Sequence, residues 1–299
     1  MSVAPAVLIM LAVSAVFALQ APVNARLAVT TGRVPAALVS FLVGIVGLAV
    51  AVLVSGGAGG FADIGEAEAW QFTGGIIGAA FVLTALAAVP VVGAGGVAAA
   101  TITGQMVGSI VLDDRGWLGL DVEPVSALRI AGAVLLLAGT ALILRRRRRD
   151  EEGGTGHRLA AALIVLAGLA LAAQAPINAG LGDAVGGLEA ALVNFVVGSV
   201  VLAVAVVAVR GLPGVAASRR VPRRYLLGGL IGAVYVAASV LLVRTVGAGG
   251  IAATTITGQL AASVALDRAG ALGLEERPLT PLRLAAVGLL IAGTVLVVA

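Results

Sequence analysis

The polar residues that could bind a solute stand in short motifs within long apolar stretches. Gln20 and Asn24 are four residues apart, as are Thr101 and Gln105, and this spacing puts both members of a pair on one helix face. Pro22 lies between Gln20 and Asn24, and its ring frees a backbone carbonyl four residues earlier as a further acceptor. Uncharged donors and acceptors of this kind are suited to binding a solute.

Every one of these motifs occurs twice, at a constant offset of 154 residues. The candidate substrate-binding residues are therefore Gln20, Asn24, Thr101, Gln105, Gln174, Asn178, Thr255 and Gln259. Thr103 and Thr257 point to another face and are expected to bond back to their own helices. Gln, Asn and Thr also join helices to one another inside membranes, and the sequence leaves both roles open.

The sequence offers few residues suited to metal binding, catalysis or proton coupling. The chain has no Cys and a single His, His157, beside an Arg run, so we expect no metal site, no cofactor and no catalytic residue. Glu189, at the start of the predicted span 188–209, is the one acidic residue inside a predicted membrane span. Asp113 and Asp267, at equivalent positions, are the only candidates for proton coupling by symmetry, and we interpret both as loop acids. Arg244 is interpreted as an interfacial anchor, with attraction of an anion as the alternative.

The composition requires a membrane. Hydrophobic residues make up 60% of the 299 and charged residues only 11%, whereas soluble domains carry about 25% charged residues. The net charge of +4 comes from arginine clusters between apolar runs, and only 3% of residues are aromatic. This pattern is typical of membrane-flanking charge and not of a nucleic-acid groove. The expected partners are a small-molecule solute and the lipid bilayer.

Apolar runs of about 20 residues, each with at most one charged residue, predict ten membrane-spanning helices. The uncharged stretch 69–112 is too long for one helix, and Pro90 and Gly93 predict a division within residues 89–93. The first helix is expected to be retained rather than cleaved as a signal peptide. The predicted spans are 3–25, 34–54, 71–89, 92–112, 126–144, 159–179, 188–209, 225–243, 246–266 and 282–298.

Ten spans divide the 19 arginines very unevenly between the two sides. Only Arg115, Arg129 and Arg244 fall on the side of the even-numbered loops, and the other 16 fall on the opposite side. Because arginine-rich loops stay in the cytoplasm, we expect those 16 to be cytoplasmic and both termini to face outside.

A duplication explains the recurring motifs. VGAGGVAAATITGQ at 92–105 returns as VGAGGIAATTITGQ at 246–259, and Gln20-Ala-Pro-Val-Asn-Ala returns from Gln174 with one change. Five spans is an odd number, so the second copy must enter the membrane inverted. The predicted fold is an all-α membrane protein of two inverted five-helix repeats (5+5). Repeat 1 covers 1–144, a cytoplasmic arginine-rich linker 145–157, and repeat 2 158–299.

Inverted repeats suggest transport, because exchanging the conformations of the two halves opens a midplane site to the other side. Helix depth, at about 1.5 Å per residue, predicts two clusters. Gln20, Asn24 and Gln259 form the inner one, Gln174, Asn178 and Gln105 form the outer one, and Thr101 and Thr255 lie between them.

The doubled Q-A-P-[VI]-N-A and T-I-T-G-Q motifs resemble the YdcZ-type inner-membrane exporters of the drug/metabolite transporter superfamily, in a fused two-domain form. The resemblance covers both halves and implies a ten-helix transporter with an export role. The expected function is a secondary-active exporter of a small polar or amphipathic solute, in the cell (inner) membrane, as a monomer or homodimer. The alternatives are a flippase for a lipid-linked intermediate and a non-transporting assembly or scaffold subunit.

Overall fold

The computed structural model describes residues 2–144, 155–269 and 280–299, and within these ranges every regular element is helical. The arginine run of the linker and the side chain of Asp267 lie outside the described residues. Short 3-10 helices follow α3 and α9. The α-helices are α1 (Val3–Phe17), α2 (Gln20–Thr31), α3 (Arg33–Ser55), α4 (Thr73–Arg115), α5 (Ala127–Leu144), α6 (Thr155–Ala172), α7 (Gln174–Val185), α8 (Gly187–Ala208), α9 (Leu212–Ala217), α10 (Leu227–Ala269) and α11 (Pro281–Val298).

Helical segments long and apolar enough to cross a membrane dominate the described chain. There are eight of them among the described residues, and Ala127–Leu142 is a shorter apolar helix. The protein is therefore a multi-pass membrane protein. The eight are Val3–Thr31, Arg33–Ser55, Ala69–Gly93, Gly96–Arg115, Thr155–Val185, Gly187–Ala208, Arg223–Leu266 and Pro281–Val298.

The two 43-residue helices, α4 and α10, are each divided by a glycine. Gly93 has φ 71° and ψ 162°, and Gly247, its equivalent in repeat 2, has φ 72° and ψ 170°. Glycine adopts this region at little cost, whereas a side chain there would be strained. The division predicted within 89–93 is thus found at Gly93, while Pro90 stays inside the helix.

The first and sixth predicted spans differ from the observed helices. A break after Phe17 separates α1 from α2, which continues to Thr31, six residues past the predicted end. The matching break separates α6 from α7 at Ala173. Pro22 and Pro176 each occupy the third position after the break, in a first turn whose N–H groups have no partner within the helix.

The chain folds into two compact units, and each draws segments from both repeats. Unit 1 consists of the described parts of Met1–Ala18, Thr84–Ala173 and Thr245–Ala299, and unit 2 consists of Leu19–Leu83 and Gln174–Arg244. The boundaries at 144 and 158 predicted from the repeat stay a prediction.

In unit 1, the equivalent helices α5 and α11 pack closely and run antiparallel. Gly132 lies against the carbonyl oxygen of Gly293, and Gly139 against that of Ala286. Residue numbers therefore rise along α5 as they fall along α11. The contact has an apolar core that includes Leu136 and Leu290, both fully buried.

In unit 2, the equivalent helices α3 and α8 cross at their phenylalanines. The rings of Phe41 and Phe195 have centroids 4.9 Å apart. Each ring packs on a glycine of the other helix, Phe195 on Gly44 and Phe41 on Gly198, and a Cβ on either glycine would overlap the ring. The same residue pairs thus make the same contacts with the repeats exchanged.

Candidate functional site

The Gln174 motif of repeat 2 makes a hydrogen-bonded cluster with the start of α4. Gln174 begins α7, and its Nε2 donates to the Gly74 carbonyl oxygen at 2.9 Å and to Asn194 Oδ1 at 3.3 Å. Asn178, one turn later, donates from Nδ2 to the same Asn194 oxygen at 3.1 Å. Asn178 and Asn194 are 1% and 3% exposed. We call Gln174, Asn178, Asn194 and Gly74 the Gln174 cluster.

The Gln20 motif of repeat 1 makes the equivalent contact with the start of α10. Gln20 begins α2, and its Nε2 donates to the Gly228 carbonyl oxygen at 3.2 Å. Asn24 Oδ1 also lies against Gly228 and is buried without a hydrogen-bond partner among the described residues. Gly74 and Gly228 are 154 residues apart, so the two glutamines donate to equivalent carbonyl oxygens of the two repeats. We call Gln20, Asn24 and Gly228 the Gln20 cluster.

Two pairs of glycines, four residues apart, make these approaches possible. They are Gly74 and Gly78 in repeat 1 and Gly228 and Gly232 in repeat 2. A Cβ on Gly74 would overlap the side-chain oxygen of Asn178, and one on Gly228 would overlap that of Asn24. A Cβ on the second glycine of either pair would press on the amide nitrogen of the glutamine. Any residue larger than glycine would therefore force the amides away from the helix.

The remaining candidate residues belong to unit 1. Thr101 and Thr255 are buried, and the Thr101 backbone packs on Gly168 of α6. Gln105 and Gln259 are half-buried, and the structure records no hydrogen bond of either side chain within the described part of the chain. The grouping of Gln259 with Gln20 and Asn24, and of Gln105 with Gln174 and Asn178, stays a prediction.

Of the two threonines expected to bond to their own helices, Thr103 does so and Thr257 does not. Thr103 Oγ1 donates to the Ala99 carbonyl oxygen at 2.8 Å, as expected. For Thr257 the expectation is wrong, because its hydroxyl donates to the Leu290 carbonyl oxygen at 3.0 Å and lies 2.6 Å from the Thr294 hydroxyl. Thr257 therefore joins α10 to α11. Spacing along one helix does not reveal a hydroxyl on the neighbouring helix.

Asp113 is not the loop acid that the sequence suggested. It is 1% exposed near the end of α4, within the apolar segment Gly96–Arg115. Its two carboxylate oxygens accept hydrogen bonds from the N–H groups of Ala248 and Gly249, each at 2.8 Å. The Arg129 guanidinium lies 3.8 Å from it and also pairs with Glu123. Asp113 thus caps the helix that starts after the Gly247 break.

Arg244 pairs with an acid of unit 2. Its guanidinium nitrogen lies 2.5 Å from Asp183 Oδ2, and the two side chains are 35% and 69% exposed. This pairing favours neither the anchor nor the anion interpretation. Among the described residues no group of three or more His, Cys, Asp or Glu side chains is arranged to hold a metal ion.

From the sequence, Asn194 and its equivalent Ser40 are interpreted mainly as residues that join helices, and the glycine pairs are not singled out. Asn194 stands where repeat 1 has Ser40, so the repeat comparison alone gave it little weight. The signal that could have found the glycines was their conservation between the repeats at four-residue spacing, Gly74 with Gly78 and Gly228 with Gly232.

A known protein family matches the chain twice, once in each repeat. The family model described as "Putative inner membrane exporter, YdcZ" matches residues 5–142 and 159–296. The chain belongs to this family. The resemblance seen in the doubled motifs is thereby confirmed, and the family, together with the apolar helices, indicates a multi-pass transporter of the inner membrane.

Solved structures share the fold of this YdcZ family member. One crystal structure aligns with a TM-score of 0.70 over 99% of this chain and 96% of the other, at 14% sequence identity. At this identity the likeness concerns the fold alone. None of the curated proteins compared with the chain matches it.

Proposed function

We propose that the protein is a secondary-active exporter of a small polar or amphipathic solute, and that it works by alternating access between two inverted five-helix repeats. The proposal joins the exporter family of the chain to the geometry of its repeats. It includes no enzymatic activity.

The antiparallel packing of α5 and α11 is the observation that carries the proposal. These helices are equivalent by the 154-residue offset, which matches Gly139 to Gly293 and Gly132 to Ala286. Two equivalent helices that cross a membrane in opposite directions are related by an axis perpendicular to them, and so lying in the membrane plane. Inverted-repeat transporters have this axis, and it allows two conformations that differ only in which half adopts which form.

The count of ten spans follows from the same equivalence. The helix Ala127–Leu142 is short by itself, but its partner Pro281–Val298 qualifies as a span, and we count both. The segment Arg223–Leu266 is divided at Gly247, as α4 is divided at Gly93, and we count it as two. These two additions raise the eight apolar segments to ten, five in each repeat.

Unpartnered polar atoms in the candidate residues support a path for a polar solute. Gln105 and Gln259 lie in apolar helices with half-buried side chains, where an amide without a partner costs free energy. A solute with hydrogen-bonding groups would satisfy them. Gln20, Asn24, Gln174 and Asn178, by contrast, are partly occupied by helix contacts, and we propose that they join helices as well as bind the solute.

Transport by the purified protein in proteoliposomes tests the proposal. A thermal-shift screen against metabolites and cationic drugs across pH would first identify ligands that stabilise the protein. Flux of those ligands, dependent on the protein and on an ion gradient, is the expected result. Lipid scrambling without solute flux would replace the exporter by a flippase, and the absence of both activities would favour an assembly role.

The orientation is proposed from the distribution of arginines. The loops that carry the 16 arginines face the cytoplasm, and both termini face outside. In unit 2, Arg210, Arg219, Arg220, Arg223 and Arg224 are all exposed around α9, in keeping with a solvated cytoplasmic loop.

A further inference from the structure

The Gln20 and Gln174 clusters are equivalent in their backbone. Gly75, next to Gly74, lies against the carbonyl oxygen of Asn194, and Gly229, next to Gly228, lies against that of Ser40. These four residues form two pairs related by the 154-residue offset. Helix approach is therefore the same at both clusters, and it does not distinguish one from the other.

The side chains of Asn194 and its equivalent Ser40 do distinguish the two clusters. Asn194 Oδ1 accepts hydrogen bonds from both Gln174 and Asn178. Ser40 occupies the equivalent position, is 3% exposed, and has no recorded hydrogen bond to Gln20 or Asn24. The Gln174 cluster thus contains three side-chain hydrogen bonds, whereas the Gln20 cluster contains one, which is also longer, at 3.2 Å against 2.9 Å.

The unpaired Asn24 oxygen fits the same asymmetry. In the Gln174 cluster, the Asn178 amide nitrogen has a partner on Asn194, and the buried Asn178 oxygen has none among the described residues. In the Gln20 cluster, the structure records no partner for the Asn24 side chain among the described residues, and its oxygen is buried. The shorter Ser40 side chain accounts for this difference.

We infer that Asn194 is a positioning residue that makes the two end states of the exporter unequal, by holding the Gln174 contact closed more strongly than Ser40 holds the Gln20 contact. The inference rests on the proposed alternating access. In a symmetric exchange the two contacts open in turn, each in one end state. Asn194 lies on α8 and accepts from Gln174 and Asn178 of α7, so it holds the Gln174 amide in the orientation that donates to the Gly74 carbonyl oxygen of α4. Gln20 has no such support from Ser40, and the state that keeps the supported contact closed is therefore the more populated one.

Exchanging these two residues tests the inference. Asn194→Ser places at the Gln174 contact the serine that repeat 1 has there. Ser40→Asn places at the Gln20 contact the asparagine that repeat 2 has there. The double variant keeps the total composition and exchanges the contacts. One interhelical hydrogen bond in a membrane changes a population ratio by roughly threefold, and Asn194 supports the single bond that crosses from α7 to α4, so the expected shift is up to about threefold.

Distances between spin labels at equivalent exposed positions report the two contacts. The chain has no Cys, so the introduced pairs alone carry the label. Cysteines at Ile76 and Asp183 span the α4–α7 contact, and cysteines at Leu230 and Val29, the equivalent residues, span the α10–α2 contact; all four positions are exposed.

Opposite shifts support the inference. Asn194→Ser is expected to raise the long-distance population of the 76–183 pair, and Ser40→Asn to lower that of the 29–230 pair, while the double variant exchanges the two distributions. A purely structural role would change thermal stability without opposite shifts. Unchanged distributions in Ser40→Asn and the double variant would overturn the inference, even if Asn194→Ser did not fold.

Solute flux in the same variants separates this inference from the proposed function. Opposite distance shifts in a protein that moves no solute would support the positioning role and reject the exporter. Normal flux with identical distributions in all variants would support the exporter and reject the positioning role.

Discussion

Asp113 and Ala248 are joined by a hydrogen bond of 2.8 Å between the Asp113 carboxylate and the Ala248 backbone N–H, across 135 residues of sequence. The other carboxylate oxygen accepts from the next N–H, that of Gly249. The end of α4 is thereby attached to the start of the second part of α10, directly after the Gly247 break. A buried carboxylate with two N–H donors and a nearby arginine is a structural cap whose charge is compensated.

Asp113→Asn is expected to destabilise the protein by about 2 kcal/mol, since hydrogen bonds to a charged group contribute roughly 1.5–3 kcal/mol. An asparagine can accept from one N–H through its oxygen, but its own NH₂ group faces the other N–H. Thermal unfolding in detergent measures the loss. The matched control is Asp121→Asn, whose side chain is exposed and should leave the transition unchanged. Equal transitions in the two variants would contradict the capping role.

Gly74→Ala and Gly228→Ala are expected to reduce both stability and transport. The added methyl group would overlap the oxygen of Asn178 or of Asn24 and push the amide side chains out of their contacts. The control is Gly288→Ala in α11, where a Cβ would meet nothing within 4 Å. That substitution should be neutral or stabilising by about 0.4–1 kcal/mol. If all three variants behave alike, the close approach at the Gln20 and Gln174 clusters is unimportant.

Gln105→Leu and Gln259→Leu, made singly, are expected to impair transport while leaving membrane insertion intact. Leucine has a side chain of similar size that suits an apolar helix, and it removes the amide that a solute would bind. Flux in proteoliposomes measures the effect, and fractionation of the membrane confirms insertion. Thr103→Val serves as the control, because the Thr103 hydroxyl donates to the Ala99 carbonyl oxygen of its own helix. Wild-type flux in both glutamine variants would remove them from the solute path.

Cysteine labelling is expected to give opposite sides for two loops at equivalent positions of the repeats. Gly59 follows α3 and Ala216 lies in α9 after α8, and both residues are exposed. In the inverted arrangement, a cysteine at Gly59 reacts with an impermeant reagent from outside. A cysteine at Ala216 reacts only after the membrane is permeabilised. Labelling of both from the same side would reject the inversion.

Breaking the Arg244–Asp183 pair is expected to have little effect on stability. Both side chains are more than one third exposed, and ion pairs of this kind contribute about 0–1 kcal/mol. Asp183→Asn should therefore unfold within that margin of the wild type in a thermal melt. A larger loss would mean that the pair holds α7 against α10 more firmly than its exposure suggests.

The sequence by itself determined the membrane environment, the duplication and the division of the longest apolar stretch near Gly93, but not the breaks after Phe17 and at Ala173. The membrane environment follows from apolar runs, because a helix in lipid must satisfy its backbone hydrogen bonds internally. The break at Gly93, and the equivalent one at Gly247, follow from local sequence as well, because few side chains tolerate the backbone conformation of these glycines. The motifs around Gln20 and Gln174 were likewise evident, since equivalent residues recur at one offset. These conclusions need no knowledge of which helices are neighbours.

Only the tertiary structure decided what each polar group contacts. Thr257 bonds to α11, Asp113 caps a helix that begins 135 residues later, and Asn194 joins the Gln174 cluster although repeat 1 has a serine there. Periodicity gives the face of a helix but not the atoms opposite to it. Whether a buried hydroxyl, amide or carboxylate is satisfied depends on partners that are distant in sequence, and those partners exist only once the helices have packed.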